Sequence, residues 1–350
     1  MNRTRLSELC LLITALIWGS TFLIVQRALD DVSSLAFNAA RFAGAALLFL
    51  LMMLASGRLR KARWNRGLIL HGGVLGLWLF GAFSLQTAGL QYTTSTNTGF
   101  ITGMSVVFVP FASLLIAKQR LSAATWMAAG AAFAGLYLLA VDGGSLSLNR
   151  GDILVFFGAV CFALHIAVTA LYAPRHETMP LVTVQFATVG VLAALLSGLT
   201  ETVAPLGERL AGFAKPEVLI ALLVSVLLST GFAYWAQTWC QQHTSAARVA
   251  IIFATEPVFA ALTGVIFAGE RLGWSAMLGC ALILGGMLYA ELADRLPADG
   301  RPQRQPDEPP QRQPDEPPQR PADAPPQREP DAPPLGQDRS PRQGSGRRSS

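Results

Sequence analysis

Long apolar runs separated by short polar stretches make up most of the chain. They fall near 9–26, 35–55, 68–90, 98–117, 123–141, 152–172, 181–199, 217–240, 249–268 and 274–292. Each has the length a helix needs to cross the hydrocarbon layer of a bilayer, roughly 17 to 25 residues. A segment in lipid must satisfy its own backbone, so unbroken runs of this length read as helices rather than the short alternating strands of a barrel. The pattern predicts an all-α integral membrane protein with ten transmembrane helices. Arg3 and Arg5 precede the first run, which continues past Gly19 and Ser20 to Val25 without a small-x-small cleavage site. It therefore reads as a retained span rather than a signal peptide.

Composition sharpens this picture and divides the chain. Of 350 residues, 52% are hydrophobic and 14% charged, and the mean hydropathy is +0.41, values unlike those of a soluble domain. Residues 297–350 differ: they hold fifteen of the 21 prolines and, from Gln303, read QRQPDEPP, QRQPDEPP, QRPADAPP, QREPDAPP. Regular proline, balanced charge and no apolar anchor predict a disordered or polyproline II tail, expected to be an inert cytoplasmic extension. Cys10, Cys161, Cys240 and Cys280 lie in or beside apolar runs with no CxxC pair. They read as buried thiols rather than disulfides or a metal site.

Lys and Arg cluster before the first span and after the second and fourth: Arg3 and Arg5; Arg58, Arg60, Lys61, Arg63 and Arg66; Lys118 and Arg120. The opposite loops carry isolated charges such as Arg150. With an even number of spans, this bias predicts a multi-pass cell-membrane protein with both termini cytoplasmic.

The chain also repeats. An offset of 151 sets Gln86-Thr87 on Gln237-Thr238, Gln91 on Gln242, Val107-Phe108 on Val258-Phe259, Arg120-Leu121 on Arg271-Leu272 and Gly135 on Gly286. An offset of 144 pairs the first span with the sixth, placing Trp18 on Phe162 and Arg41 on Gln185. The expected divisions are residues 1–148, residues 149–296 and the tail 297–350. Five spans per half is an odd number, so the second copy enters the membrane inverted. Two inverted copies that exchange open and closed conformations provide alternating access to a central cavity.

ALIWGSTF in the first span, GLQYTTSTNTGFITGMSVVFVP after the third and ATEPVFAALTGVIFAGERL in the ninth resemble EamA-type members of the drug/metabolite transporter superfamily. The resemblance spans residues 9 to 292 and implies a transporter that exports amino acids, other small metabolites or drugs. One departure is Gln119, where the second copy has Glu270 before the shared Arg-Leu.

Charge inside a membrane is costly, so Arg41, His165 and Glu256 need an account. Glu256 is followed by Pro257, which cannot donate to the carbonyl of Phe253 and so kinks the helix. The equivalent of this Glu-Pro pair in the first half is Ser105-Val106, and Pro110 in the fourth span is a second expected kink. Glu256 either faces a cavity, binding a cationic group or carrying a coupling proton, or ties down donors that the kink exposes. Arg41 either meets a substrate carboxylate, pairs with an acid, or snorkels to the interface. His165 either exchanges protons or sits neutral and hydrogen-bonded between helices.

Tyr234, Gln237, Thr238 and Gln241 recur at helical spacing along one face. As repeat equivalents, Gln86 and Gln237 are expected to face the pseudo-symmetry axis from opposite halves, with Trp18, Tyr234 and Trp235 nearby; alternatively the amides only join helices. That set suits a zwitterionic or partly aromatic solute. Asn97-Thr98 reads as a helix cap, and Gly130, Gly135, Gly279, Gly285 and Gly286 as close-packing sites, within a monomer or a homodimer.

No nucleophile elbow, phosphate-binding glycine loop or metal-ligand spacing occurs, so neither an enzyme nor a cofactor is expected. No nucleic-acid partner is expected either. A channel would be expected to carry a filter motif, and none stands out. The expected function is a secondary transporter exporting small metabolites or drugs, with a proton as a coupling ion. A facilitator or exchanger of metabolites is the alternative, and a membrane bundle without transport the next. The expected partners are a small-molecule substrate and the lipid bilayer.

Overall fold

The computed structural model describes residues 3–93, 95–118, 122–142, 149–201, 205–268 and 273–295. The two Arg-Leu pairs at 120–121 and 271–272, Gln119, Glu270 and the proline-rich tail lie outside the described residues.

Each apolar run forms helix, as backbone groups facing lipid require. In chain order the helices are α1 (Arg3–Ala28), α2 (Ser34–Ala55), the short α3 (Arg58–Lys61), α4 (Arg66–Leu90), α5 (Ser95–Gly103), α6 (Ser105–Ala117), α7 (Ala123–Asp142) and α8 (Arg150–Tyr172). There follow α9 (Thr178–Thr200), the short α10 (Leu206–Phe213), α11 (Pro216–Val224), a π-helical stretch Ser225–Phe232, α12 (Ala233–Cys240), α13 (Ala246–Phe253), α14 (Glu256–Ala268) and α15 (Trp274–Arg295). Among the described residues, eight helical stretches are long and apolar enough to cross a membrane, while Ala123–Leu138 and Trp274–Tyr289 form two shorter apolar helices. The protein is an all-helical integral membrane protein, and the fifth and tenth predicted spans supply the two shorter helices.

Polar residues fix where helices begin. Asn65 accepts from Leu68 N at 2.8 Å. Asn149 and Asp152 form a reciprocal capping box with both bonds at 3.0 Å, satisfying donors that open a helix. Asp152 also accepts from Thr93 Oγ1 at 2.6 Å, tying the end of α4 to the start of α8. Pro216 opens α11, where its missing N–H costs nothing. The expected cap at Asn97-Thr98 falls inside α5, which starts at Ser95.

Met1–Leu296 form one compact unit. Within it α2 packs along α9, α4 along α8 and α9, α1 along α12 and α14, and α7 along α15. Glycine permits some of these approaches: a Cβ on Gly135 would stand 2.5 Å from the Gly279 carbonyl oxygen, and one on Gly286 3.1 Å from that of Ala128. Gly130 and Gly285 instead face open space, so they pack against no other described helix of the same chain. Leu115, Leu199 and Phe267 are among the large apolar side chains exposed on the outside, as a lipid-facing surface requires.

The fourth and ninth segments are each interrupted. Between α5 and α6 the chain tightens at Met104, whose N–H reaches back three residues to Ile101 O at 3.1 Å. Between α13 and α14, Thr255 N bonds Ile252 O in the same way, also at 3.1 Å. Pro257 follows this second break. Pro110 lies inside α6, and the first interruption falls at Met104 instead.

Candidate functional site

The interruptions adjoin a cavity of about 60 Å³ in the body of the bundle. Its wall contains every sequence-predicted cavity residue: Trp18 from α1, Arg41 from α2, Gln86 from α4, His165 from α8, Tyr234 and Gln237 from α12, and Glu256 at the start of α14. Residues scattered over more than two hundred positions thus meet at one place.

Arg41 does not snorkel. It is 4% exposed, and none of the ion pairs among the described residues includes it. Its Nε donates to Thr230 Oγ1, and Nη2 to Ser229 O and Oγ at 3.3 and 3.1 Å. The guanidinium carbon lies 4.4 Å from the centroid of the Phe83 ring, a cation–π distance. Both partners belong to the π-helical stretch, a wide turn common at functional sites. Trp18 Nε1 donates to the same Ser229 carbonyl at 2.8 Å.

His165 sits between helices as a buried, hydrogen-bonded ring. Nε2 lies 3.3 Å from Gln185 Oε1 and 3.5 Å from Thr169 Oγ1. The Thr169 hydroxyl proton is committed to His165 O at 2.7 Å, so its oxygen can only accept and the ring proton belongs on Nε2. His165 Nδ1 is buried without a partner. Gln86 Nε2 donates to Thr102 Oγ1 at 2.8 Å.

Gln237 Nε2 donates to Gln241 Oε1 at 3.0 Å, and Gln241 Nε2 to Ile166 O at 2.8 Å. The final carbonyl fixes both amides, leaving Gln237 Oε1 unpartnered. Tyr234 OH is likewise unpartnered. Glu256 is 6% exposed. No hydrogen bond among the described residues ends on its carboxylate, so the tying role considered for it finds no partner there.

Aromatic rings surround these groups. Tyr234 packs beside Trp18 at 5.2 Å, His165 at 5.7 Å and Phe83 at 5.9 Å between centroids, and Trp18 meets Phe253 edge-on at 4.8 Å. Beyond Phe186, which touches both Tyr234 and Phe49, lies an open vestibule of about 1310 Å³ lined by Phe49, Arg58, Arg63, Arg175, His176 and Trp235, among others. Trp235, expected near the cavity, lines this vestibule instead.

Sequence reasoning missed two features. His71 Nδ1 and His176 Nε2 lie 2.7 Å apart, with His71 stacked on Tyr172 at 3.9 Å; they come from segments with no local motif between them. The Ser229–Thr230 turn was also missed, because a π stretch leaves the apolar pattern unchanged. No group of metal-ligating side chains occurs among the described residues. All four cysteines are free, but only Cys240 is fully buried; Cys10, Cys161 and Cys280 are partly exposed.

A lipid-faced helical bundle enclosing a polar cavity defines a multi-pass membrane protein built around an internal site. The EamA-like transporter family matches the chain twice, over residues 5–141 and 149–290, and the protein belongs to that family. An uncharacterized transporter of Archaeoglobus fulgidus is 33% identical over 286 residues, covering 82% of this chain and 86% of its own length. The uncharacterized transporter YyaM of Bacillus subtilis is 23% identical over 80% of this chain and 91% of its own. The uncharacterized inner membrane transporter YedA of Escherichia coli is 25% identical over 80% and 89%. One crystal structure superposes with a TM-score of 0.67 at 20% identity, covering 83% of this chain and 97% of that one, a likeness of fold.

Proposed function

We propose that this membrane transporter is a secondary carrier of the cytoplasmic membrane that exports small metabolites, amino acids or related solutes, or drugs. The observation carrying this reading is the set of buried polar groups that line one cavity with no hydrogen-bond partner among the described residues, His165 Nδ1, Tyr234 OH and Gln237 Oε1, beside the buried Glu256 carboxylate. Leaving such groups unpaired is costly, and a bound solute or water satisfies them. About 60 Å³ holds a few waters but not a metabolite, so binding requires the bundle to open.

Opening is proposed to occur by alternating access of two inverted five-helix repeats, residues 1–148 and 149–296, with ten spans in all. The double family match supports two repeats. So do paired contacts: Gly89 meets Gly151 backbone to backbone, and at the repeat-equivalent positions Cys240 Sγ donates to Ser7 O at 3.4 Å. The two helix interruptions, Met104 and Thr255, are also equivalent at the offset of 151.

Loop contacts support the ten-span count. Lys215 pairs with Asp31, joining loops after the first and seventh spans, while Gln242 Nε2 donates to His176 O at 3.0 Å, joining loops after the sixth and eighth. Each pair belongs on a single side under a ten-span count. Glu256 and His165 are the groups in the cavity able to exchange a coupling proton.

The test uses purified full-length protein in liposomes, with and without a pH gradient, given a mixed pool of amino acids and small metabolites and read by mass spectrometry. Solute movement accelerated by the gradient is the expected result. Movement indifferent to the gradient would replace proton coupling with facilitation or exchange, and no movement would overturn the carrier reading for these solutes.

A further inference from the structure

The hydrogen-bonding inventory of the central cavity is lopsided. Its fixed donors are largely committed within the protein: Trp18 Nε1 to Ser229 O, Gln86 Nε2 to Thr102 and Gln237 Nε2 to Gln241. Arg41, the one cation among the described residues of the wall, turns Nε and Nη2 into the π-helical turn. What stays open is mostly acceptor: Gln237 Oε1, His165 Nδ1 in the tautomer its neighbours dictate, and the Glu256 carboxylate. The Tyr234 hydroxyl can act either way. All four side chains are more than nine-tenths buried. A ligand that satisfies them must bring several N–H donors and, opposite Glu256, a positive charge. The aromatic faces of Trp18, Phe162, Tyr234 and Phe253 on the same wall attract a cation and also accommodate an apolar body.

We propose that the Glu256 side of the cavity binds a protonated primary amine of the transported solute, so that the substrates are organic ammonium compounds with an apolar or aromatic body. This rests on the reading of the cavity as the transport site. In the present conformation about 60 Å³ accommodates the ammonium head and its first carbons; the body requires the halves to part.

The test compares three molecules of similar size: phenethylamine, which is cationic at neutral pH, 2-phenylethanol, which is neutral, and 3-phenylpropionate, which is anionic. Binding to the full-length protein in lipid nanodiscs is measured by calorimetry, with empty nanodiscs subtracted. The amine is expected to bind roughly tenfold or more tighter than either isostere, the strength of one charge-assisted hydrogen bond. Glu256→Gln is expected to abolish that preference and Glu256→Asp to restore part of it. Should Glu256→Gln not fold, Gln237→Met, which removes one acceptor, is expected to narrow the preference.

Equal binding of the amine and the alcohol, preference for the anion, no binding of any of the three, or a preference that survives Glu256→Gln would each overturn the proposal. Counterflow in liposomes runs in parallel. Exchange of solutes without amine preference would overturn the amine site and keep the carrier, whereas amine binding without exchange would keep the site and overturn the carrier.

Discussion

Gly103 lies against the ring of Pro257: a Cβ built on the glycine would stand 3.0 Å from Pro257 Cγ and 3.0 Å from Leu136 Cδ2. The two interrupted segments therefore meet beside their breaks, with Glu256 next to the contact. A larger residue at 103 must push against a proline ring with little freedom to yield. Gly103→Val is expected to destabilise the protein by about 1 to 3 kcal/mol, the usual cost of overpacking, read as a lowered unfolding midpoint in detergent. An unchanged midpoint would mean that the crossing is looser than the contact distances imply.

Gly19 makes a still closer approach, its absent Cβ falling 2.5 Å from Glu256 O and 2.8 Å from Ala260 N. Both neighbours are backbone, so neither can move aside alone. Gly19→Ala is expected to separate α1 from α14 and to lower both the unfolding midpoint and any transport, whereas Gly130→Ala, at a glycine facing open space, changes neither. Measuring the two side by side distinguishes a local contact from a general sensitivity to substitution.

Arg41 is expected not to tolerate lysine. The planar guanidinium reaches Thr230 and Ser229 together while lying over Phe83, a combination that a single ammonium cannot reproduce. Arg41→Lys is expected to lose stability by about 1 to 3 kcal/mol and to weaken transport through the disturbed π turn. Wild-type behaviour on both counts would remove Arg41 from the architecture of the cavity.

Acid is expected to loosen the turn between α8 and α9. His176 has its pKa lowered from the ordinary 6.5 by burial, by His71 and by Arg175. A group that the fold keeps neutral contributes fully above its unfolded pKa, and the contribution falls away as pH drops below that value. The unfolding midpoint is expected to decline between about pH 7 and about pH 5, and His176→Gln is expected to lose part of that dependence. Superimposable pH profiles for the two proteins would show that the pair at 2.7 Å has no thermodynamic role.

The site was more legible in the sequence than the details of the helices. Trp18, Arg41, Gln86, His165, Tyr234, Gln237 and Glu256 are conspicuous because a polar or charged side chain inside an apolar run is expensive, and such residues are gathered where they can be satisfied. The break before Glu256 was signalled by Pro257. Its counterpart at Met104 was not, because there Ser105-Val106 stands in place of Glu-Pro and Pro110 drew attention further along the helix. The alternatives for Arg41 stayed open because depth along a helix can be read from sequence but the direction of a side chain cannot. The His71–His176 pair shows the same limit: its two members come from different helical segments and meet only through tertiary packing.

Single-cysteine labelling tests the orientation directly. Under the ten-span arrangement with cytoplasmic termini, Ser56, after the second span, faces the cytoplasm, and Lys215, before the eighth, faces outward. Both side chains are exposed, and Lys215 pairs with Asp31, which follows the first span. Lys215→Cys is expected to react with a membrane-impermeant maleimide on intact cells, and Ser56→Cys only after permeabilisation. The parent protein serves as the control for the native thiols. The reverse pattern would invert the protein in the membrane. Labelling of both positions on intact cells would contradict the span count itself, because Ser56 and Lys215 would then lie on one side.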